Sequence, residues 1–277
     1  MYSFHVETKT IAICNQKGGV AKTTSSINIS ACLAAKDKKI LLIDLDPQSN
    51  ATSGIGIDKH SITSSIYNVL HEHTSIKNII LPTQTANLNI APSSLNLTGA
   101  EVELVNLMSR EYRLKRAIET IKDQYDFIFI DCPPSLGLLT VNALTAADSI
   151  IIPVQCEYYA LEGLSQLMNT ITLIRNNLNS NLKLEGVLLT MADYRTKLTK
   201  EVIEEVRKFF ADKVYKTIIP RSVKLTEAPG FGKPIISYDK HSIGAEAYQN
   251  LAEEIIGEDT QTIDNKEFIT EAEEKNG

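Results

Sequence analysis

Asn15-Gln16-Lys17-Gly18-Gly19-Val20-Ala21-Lys22-Thr23-Thr24 is the stretch that decides the fold. It follows the apolar run Thr10–Cys14 and opens Thr24–Lys36, whose apolar residues recur at helical spacing. Glycines at 18 and 19 let the backbone turn sharply and come close to an oxygen atom. The amides of the loop and of the helix N-terminus then donate to an anion. Lys22 can neutralise the β- and γ-phosphates of a nucleotide, and Thr23 carries the hydroxyl that a Mg²⁺ ligand needs. Lys17, Gly18, Gly19, Val20, Ala21, Lys22, Thr23 and Thr24 are therefore expected to hold ATP with Mg²⁺. The standard pattern GxxxxGK[ST] is not met, because Gln16 and Ala21 occupy its two glycine positions. The pattern that is met is KGGxxKT, with Lys17 as an extra lysine at the front.

Outward from the loop, short apolar runs alternate with helix-like stretches. Strands are expected at Thr10–Cys14, Lys39–Asp44, Phe127–Asp131, Ser149–Val154, Gly186–Thr190 and Val214–Ile219. These runs are continuous in Ile, Leu and Val, as strands buried on both faces are. Amphipathic segments such as Thr24–Lys36, Ala100–Met108, Arg113–Lys122 and Lys200–Phe210 lie between them. The βαβ alternation predicts an α/β fold: a doubly wound, mainly parallel sheet flanked by helices, with ligands at the carboxyl ends of its strands. Gly54–Asn89 is less regular and reads as a cap on the core. The expected organisation is a single P-loop domain over 1–257 and an acidic tail over 258–277, read as flexible.

Carboxylates close the site. Asp44-Leu45-Asp46-Pro47-Gln48 ends one strand, and alternation puts Asp44 and Asp46 on one side of it. A carboxylate at Asp44 or Asp46 could orient a water for attack on a γ-phosphate or hold Mg²⁺ through water. Asp44 reads as a structural or Mg²⁺-water contact. Phe127-Ile128-Phe129-Ile130 ends at Asp131, the form of a Walker B strand whose carboxylate binds Mg²⁺ through its water shell. Gln155 and Glu157 follow the next strand at the same edge, where a contact with the site or with a dimer partner, or a structural role, is open.

These motifs resemble those of the ParA/Soj family of deviant-Walker ATPases, over roughly residues 9 to 257. The resemblance extends to Pro133-Pro134-Ser135-Leu136-Gly137, to the block from Pro153 to Gly163, and to Ile219-Pro220-Arg221 through Glu227-Ala228-Pro229. It implies that Lys17 acts across an ATP-sandwich homodimer, and that Asp46 supports hydrolysis together with Lys17 and Lys22. It implies adenine contacts at Pro220 and Ser222, and contacts of Arg195 and Lys224 with non-specific double-stranded DNA. It implies a ParB/Spo0J-type partner that stimulates hydrolysis, and a cytoplasmic, nucleoid-associated protein that segregates a chromosome or plasmid. Three departures stand out against the family pattern: Ala21 where glycine is common, Ser222 where asparagine is common, and Lys224 where arginine is common.

Charge agrees with a DNA face. The net charge is −6, but 258–277 holds seven Asp/Glu and two Lys, while 195–240 holds eleven Lys/Arg and six Asp/Glu. An acidic chain can thus present a local basic patch to phosphates. Cys14, Cys32, Cys132 and Cys156 form no CxxC pair and read as reduced, mostly buried thiols. An iron–sulfur reductase would need differently spaced cysteines. A MinD-like membrane ATPase would need a basic amphipathic C-terminal helix, whereas this tail is acidic. The polar start, 1–9, has no signal-peptide core, and no apolar run reaches the ~20 residues of a membrane span. No membrane partner is therefore expected.

Overall fold

The computed structural model describes residues 8–72, 74–157 and 164–257. Seven strands make one sheet: β1 (Lys9–Ile13), β2 (Ile40–Asp44), β3 (Leu81–Pro82), β4 (Leu88–Ala91), β5 (Phe127–Asp131), β6 (Ser149–Gln155) and β7 (Lys183–Thr190). Their order is β3-β4-β2-β5-β1-β6-β7, and every pairing is parallel except that of β3 with β4. β1 is interior, between β5 and β6, so the loop that leaves it opens at the middle of the carboxyl edge.

Each interior strand feeds two cores. Leu41, Ile43, Ile128 and Ile130 pack on one side with α3 (Ile66–His71), α5 (Arg113–Glu119), α6 (Leu138–Ala146) and α7 (Leu164–Asn177). Ile40, Leu42, Ile11, Ile13 and Phe129 pack on the other with α1 (Lys22–Ala34) and α11 (Ile243–Ile256). Apolar residues at every position are what a sheet covered on both faces requires. α1 is itself buried almost all round, between the sheet and α11, and its Ser25 hydroxyl meets the Tyr248 hydroxyl at 3.0 Å. Among the described residues, no helix is long and apolar enough to cross a membrane. All four cysteines are free and buried.

Three expectations need correction. Val214–Ile219 is not a strand; it meets β7 through an isolated bridge at Val187–Val214 and the Ile219 N–H on the Leu189 carbonyl, and Pro220 bridges Ala192 just beyond β7. The reason lies in its donors: the backbone N–H groups of Lys216 and Thr217 go to the Glu254 carboxylate of α11, at 2.7 and 3.1 Å. Pro220 has no N–H to give. The stretch 54–89 also holds more than a cap, since its end begins β4, an interior strand. β4 is only four residues long and carries Asn89, too short for its period to be read. The helix expected at Ala100–Met108 runs earlier, as α4 (Leu97–Glu103), and continues as a 3₁₀ turn at Leu104–Asn106.

Candidate nucleotide site

The loop is held by its own first residue. Asn15 donates from Nδ2 to the Pro153 carbonyl of β6 at 2.7 Å and accepts from the Lys17 N–H at 3.0 Å. Gly19 has φ +75° and Ala21 has φ 66°, ψ 30°, both left-handed. Ala21 is the residue before α1, and its carbonyl accepts the Ser25 N–H at 2.9 Å. A left-handed alanine costs about 1–2 kcal/mol, which the packed α1 start holds in place. A Cβ added at Gly18 or Gly19 would meet no protein atom within 4 Å, so the loop keeps an open concavity. The Thr190 hydroxyl donates to the Val20 carbonyl at 3.2 Å and ties the loop to the end of β7.

Lys22 is buried, and its Nζ donates to the Lys17 carbonyl at 2.8 Å. Burial lowers its pKa, and the nearby Asp131 carboxylate works against that shift. Lys17 is half-exposed, and its ammonium pairs with the Glu157 carboxylate. The question left open for Glu157 thus resolves as a contact with the loop of its own chain.

The acidic side follows from register. Asp44 and Asp131 are Cα partners on β2 and β5, so two fully buried carboxylates sit side by side. Asp44 is satisfied: Oδ2 accepts from the N–H and hydroxyl of Thr52 at 2.8 and 2.7 Å, and Oδ1 from the Asp46 N–H at 3.1 Å. That is a structural anchor. Asp131 is not satisfied: Oδ1 accepts from the Ser26 hydroxyl at 2.8 Å, while Oδ2 is buried with no hydrogen-bond partner. Burial, then the Asp44 charge, push the Asp131 pKa up; the Ser26 and Thr23 hydroxyls oppose them. Asp46 is nearly buried; its Oδ1 accepts from the Gln48 N–H at 2.9 Å and its carbonyl from the Ser93 hydroxyl at 2.6 Å. A buried carboxylate oxygen without a partner, beside a threonine hydroxyl and an open glycine loop, is a donor set that fits a hydrated divalent cation on a phosphate.

Residues 8–184 match the AAA domain family. The chain is 60% identical over 247 residues to the sporulation initiation inhibitor protein Soj of Bacillus subtilis, covering 89% of this chain and 98% of that one. The chain belongs to the Soj/ParA family of chromosome-partitioning ATPases. The chromosome partitioning protein ParA of Myxococcus xanthus is 54% identical, with 90% of this chain and 88% of that one covered. Among solved structures, cobyrinic acid a,c-diamide synthase of Mycobacterium smegmatis, with bound ADP and magnesium, matches at TM-score 0.80 and 36% identity, covering 90% of this chain and 94% of that one.

The other residues named from the resemblance follow β7 in the chain. Pro220 bridges Ala192 just beyond β7, and half-buried Ser222 caps α9 (Val223–Glu227) without a side-chain bond to it. Arg195 is 82% exposed in its side chain and pairs with Asp193 at 2.6 Å. Lys224 pairs with Glu227 at 3.1 Å, and its Nζ lies 5.6 Å from the Tyr238 ring centre. Asn15, Ser26, Thr52 and Ser93 escaped the sequence reading. Ser26 follows Thr23 by three residues, the spacing that shares a helix face. Thr52 and Ser93 reach the aspartates only through tertiary packing and leave no local signal.

Proposed function

We propose that this chain is an ATP-driven partition switch. ATP and Mg²⁺ bind at the loop, two copies close over the nucleotides, the dimer holds DNA without sequence preference, and hydrolysis releases it. The observation that carries the reading is the buried, half-satisfied Asp131 beside Lys22 and Thr23, below a loop already in its left-handed shape. Backbone amides from Lys17 to Thr24 and the Lys22 ammonium bind the phosphates. Thr23 and Asp131, with Asp46, hold the Mg²⁺, which when bound neutralises phosphate charge. Asp46 accepts a hydrogen bond from the attacking water and so orients it toward the γ-phosphate. Lys17 leaves Glu157 to reach the partner's nucleotide. Pro220 and Ser222 flank the adenine.

Arg195 and Lys224 bind phosphates of double-stranded DNA, and a ParB/Spo0J-type protein triggers hydrolysis. Such a protein works in the cytoplasm, on the nucleoid, and moves a chromosome or plasmid. The test is DNA retention in low salt with no nucleotide, ADP or ATP, for wild type and Asp46→Ala. Retention that needs ATP and outlasts turnover in the variant is expected. Retention indifferent to nucleotide would refute the switch.

A further inference from the structure

Ser26 has a task that the phosphate-loop pattern does not account for. It lies in α1, fully buried, four residues after Lys22 and three after Thr23, so the three side chains share one face of the helix. That face looks at the end of β5. The Lys22 charge and the Thr23 hydroxyl both act on Asp131, and the Ser26 hydroxyl reaches Asp131 Oδ1 at 2.8 Å.

A hydroxyl has one proton to give. Ser26 Oγ also lies 3.0 Å from the Lys22 carbonyl, one turn back. In a regular helix that carbonyl already accepts the N–H four residues on, which is that of Ser26 itself. A carboxylate is the stronger acceptor of the two and has no ladder bond of its own. The proton therefore goes to Asp131.

The result is an asymmetric carboxylate. Oδ1 is held, while Oδ2 stays buried without a hydrogen-bond partner. The neighbouring carboxylate cannot take its place, because both oxygens of Asp44 are filled, by Thr52 and by the Asp46 N–H. An oxygen left bare at this depth costs free energy until a cation or its water answers it. Without the Ser26 hydroxyl, the carboxylate is free to turn about its last bond, a torsion with broad preferences.

We propose that Ser26 is a positioning residue for the ATPase reaction. By holding Oδ1 it keeps Oδ2 aimed at the place of the Mg²⁺ water shell, and so sets how much Mg²⁺ strengthens nucleotide binding. The inference rests on the reading of Asp131 as a residue that holds Mg²⁺. Residues that orient a metal-binding side chain typically count for about 10–100-fold in metal affinity.

The experiment measures the affinity for a fluorescent ADP with Mg²⁺ and with a chelator, in wild type, Ser26→Ala, Asp131→Asn and the double variant. Alanine is the better helix former and removes a single oxygen, so Ser26→Ala should fold. Ser26→Cys, close in shape with only a weak donor, asks the same question without a void. In both Ser26 variants the affinity in chelator should hold, while the gain conferred by Mg²⁺ falls by about tenfold or more. ATP turnover should need correspondingly more Mg²⁺ to reach half its maximum. On the Asp131→Asn background, Ser26→Ala should change nothing further, as expected of two residues acting through one contact. An undiminished Mg²⁺ gain in the Ser26 variants, or an equal loss of affinity with and without Mg²⁺, would make Ser26 merely structural and overturn the inference while leaving Asp131 its role. Equal losses from Ser26→Ala with and without the Asp131 carboxylate would also overturn it. An undiminished gain in Asp131→Asn would overturn the reading of Asp131 itself.

Discussion

Replacing Ala21 by glycine should stabilise the protein while leaving ATP affinity nearly unchanged. Ala21 sits at φ 66°, ψ 30°, and its carbonyl accepts the first helical N–H of α1, from Ser25. An L-residue with a Cβ loses about 1–2 kcal/mol there. Glycine escapes that loss but surrenders about 0.5–1 kcal/mol through its freer unfolded chain. The net gain is about 0.5–1 kcal/mol, or roughly 2 °C in Tm for a chain of this size. A denaturant series should show a higher midpoint at constant slope. The left-handed angle is set by the start of α1, which is anchored whether or not a nucleotide is present. The strain therefore cancels between free and bound forms, and ATP affinity should shift by no more than a few-fold. A less stable variant would refute the assignment of strain. Tightening beyond a hundredfold, about 2.8 kcal/mol, would exceed all the strain available and refute the cancellation.

Asp131→Asn should make the protein more stable near neutral pH and flatten its pH dependence. The raised folded pKa means that the folded chain holds this proton after the unfolded chain has lost it, so wild-type stability falls as pH rises above about 4; denaturation midpoints from pH 5 to 8 measure the slope. Loss of stability at pH 7 would show that the carboxylate is a structural necessity instead of a cost carried for a cation. Arg195→Glu should abolish ATP-dependent DNA retention without weakening ATP binding, and unchanged retention would remove Arg195 from the DNA face. The same substitution should release Asp193, which the Arg195 hydrogen bond holds down at about 2, to titrate in the ordinary carboxylate range or above by NMR.

What the sequence made legible is what local rules encode. The loop, with Lys22 and Thr23, was readable because strand, glycines, lysine and helix must come in one order. Asp131 was readable because an apolar run ending in a carboxylate can bury that carboxylate only at the sheet's edge. The left-handed need at position 21 was foreseeable as a condition and is present in the backbone. The false strand at Val214–Ile219 had the right composition, but the N–H groups of Lys216 and Thr217 were claimed by Glu254, thirty-eight residues from Lys216. β4 was hidden by brevity. α6 offers no polar stripe, because Thr140, Asn142 and Thr145 are buried along with its leucines. The side chains that orient the aspartates arrive from Ser26, Thr52 and Ser93, and only the first shares a helix with the motif. The segment 258–277, expected to be flexible, lies outside the described residues.

The cations assigned to phosphates share one property that bears on how a switch reverses. Lys17 pairs with Glu157, Arg195 with Asp193 and Lys224 with Glu227. Each will reach a phosphate only by giving up a carboxylate, so the gain is the difference between two ion pairs instead of the worth of one. Exposed pairs contribute little, and their exchange still less. No single contact can then hold DNA or dimer firmly. In the proposed switch, binding would come from many such exchanges made together, which is what two copies joined over nucleotide would provide. Lys22 is the exception: it is buried, its ammonium rests on a backbone carbonyl, and its charge faces Asp131. The strong electrostatics are thereby confined to the nucleotide, and the weak, exchangeable kind to everything the nucleotide controls.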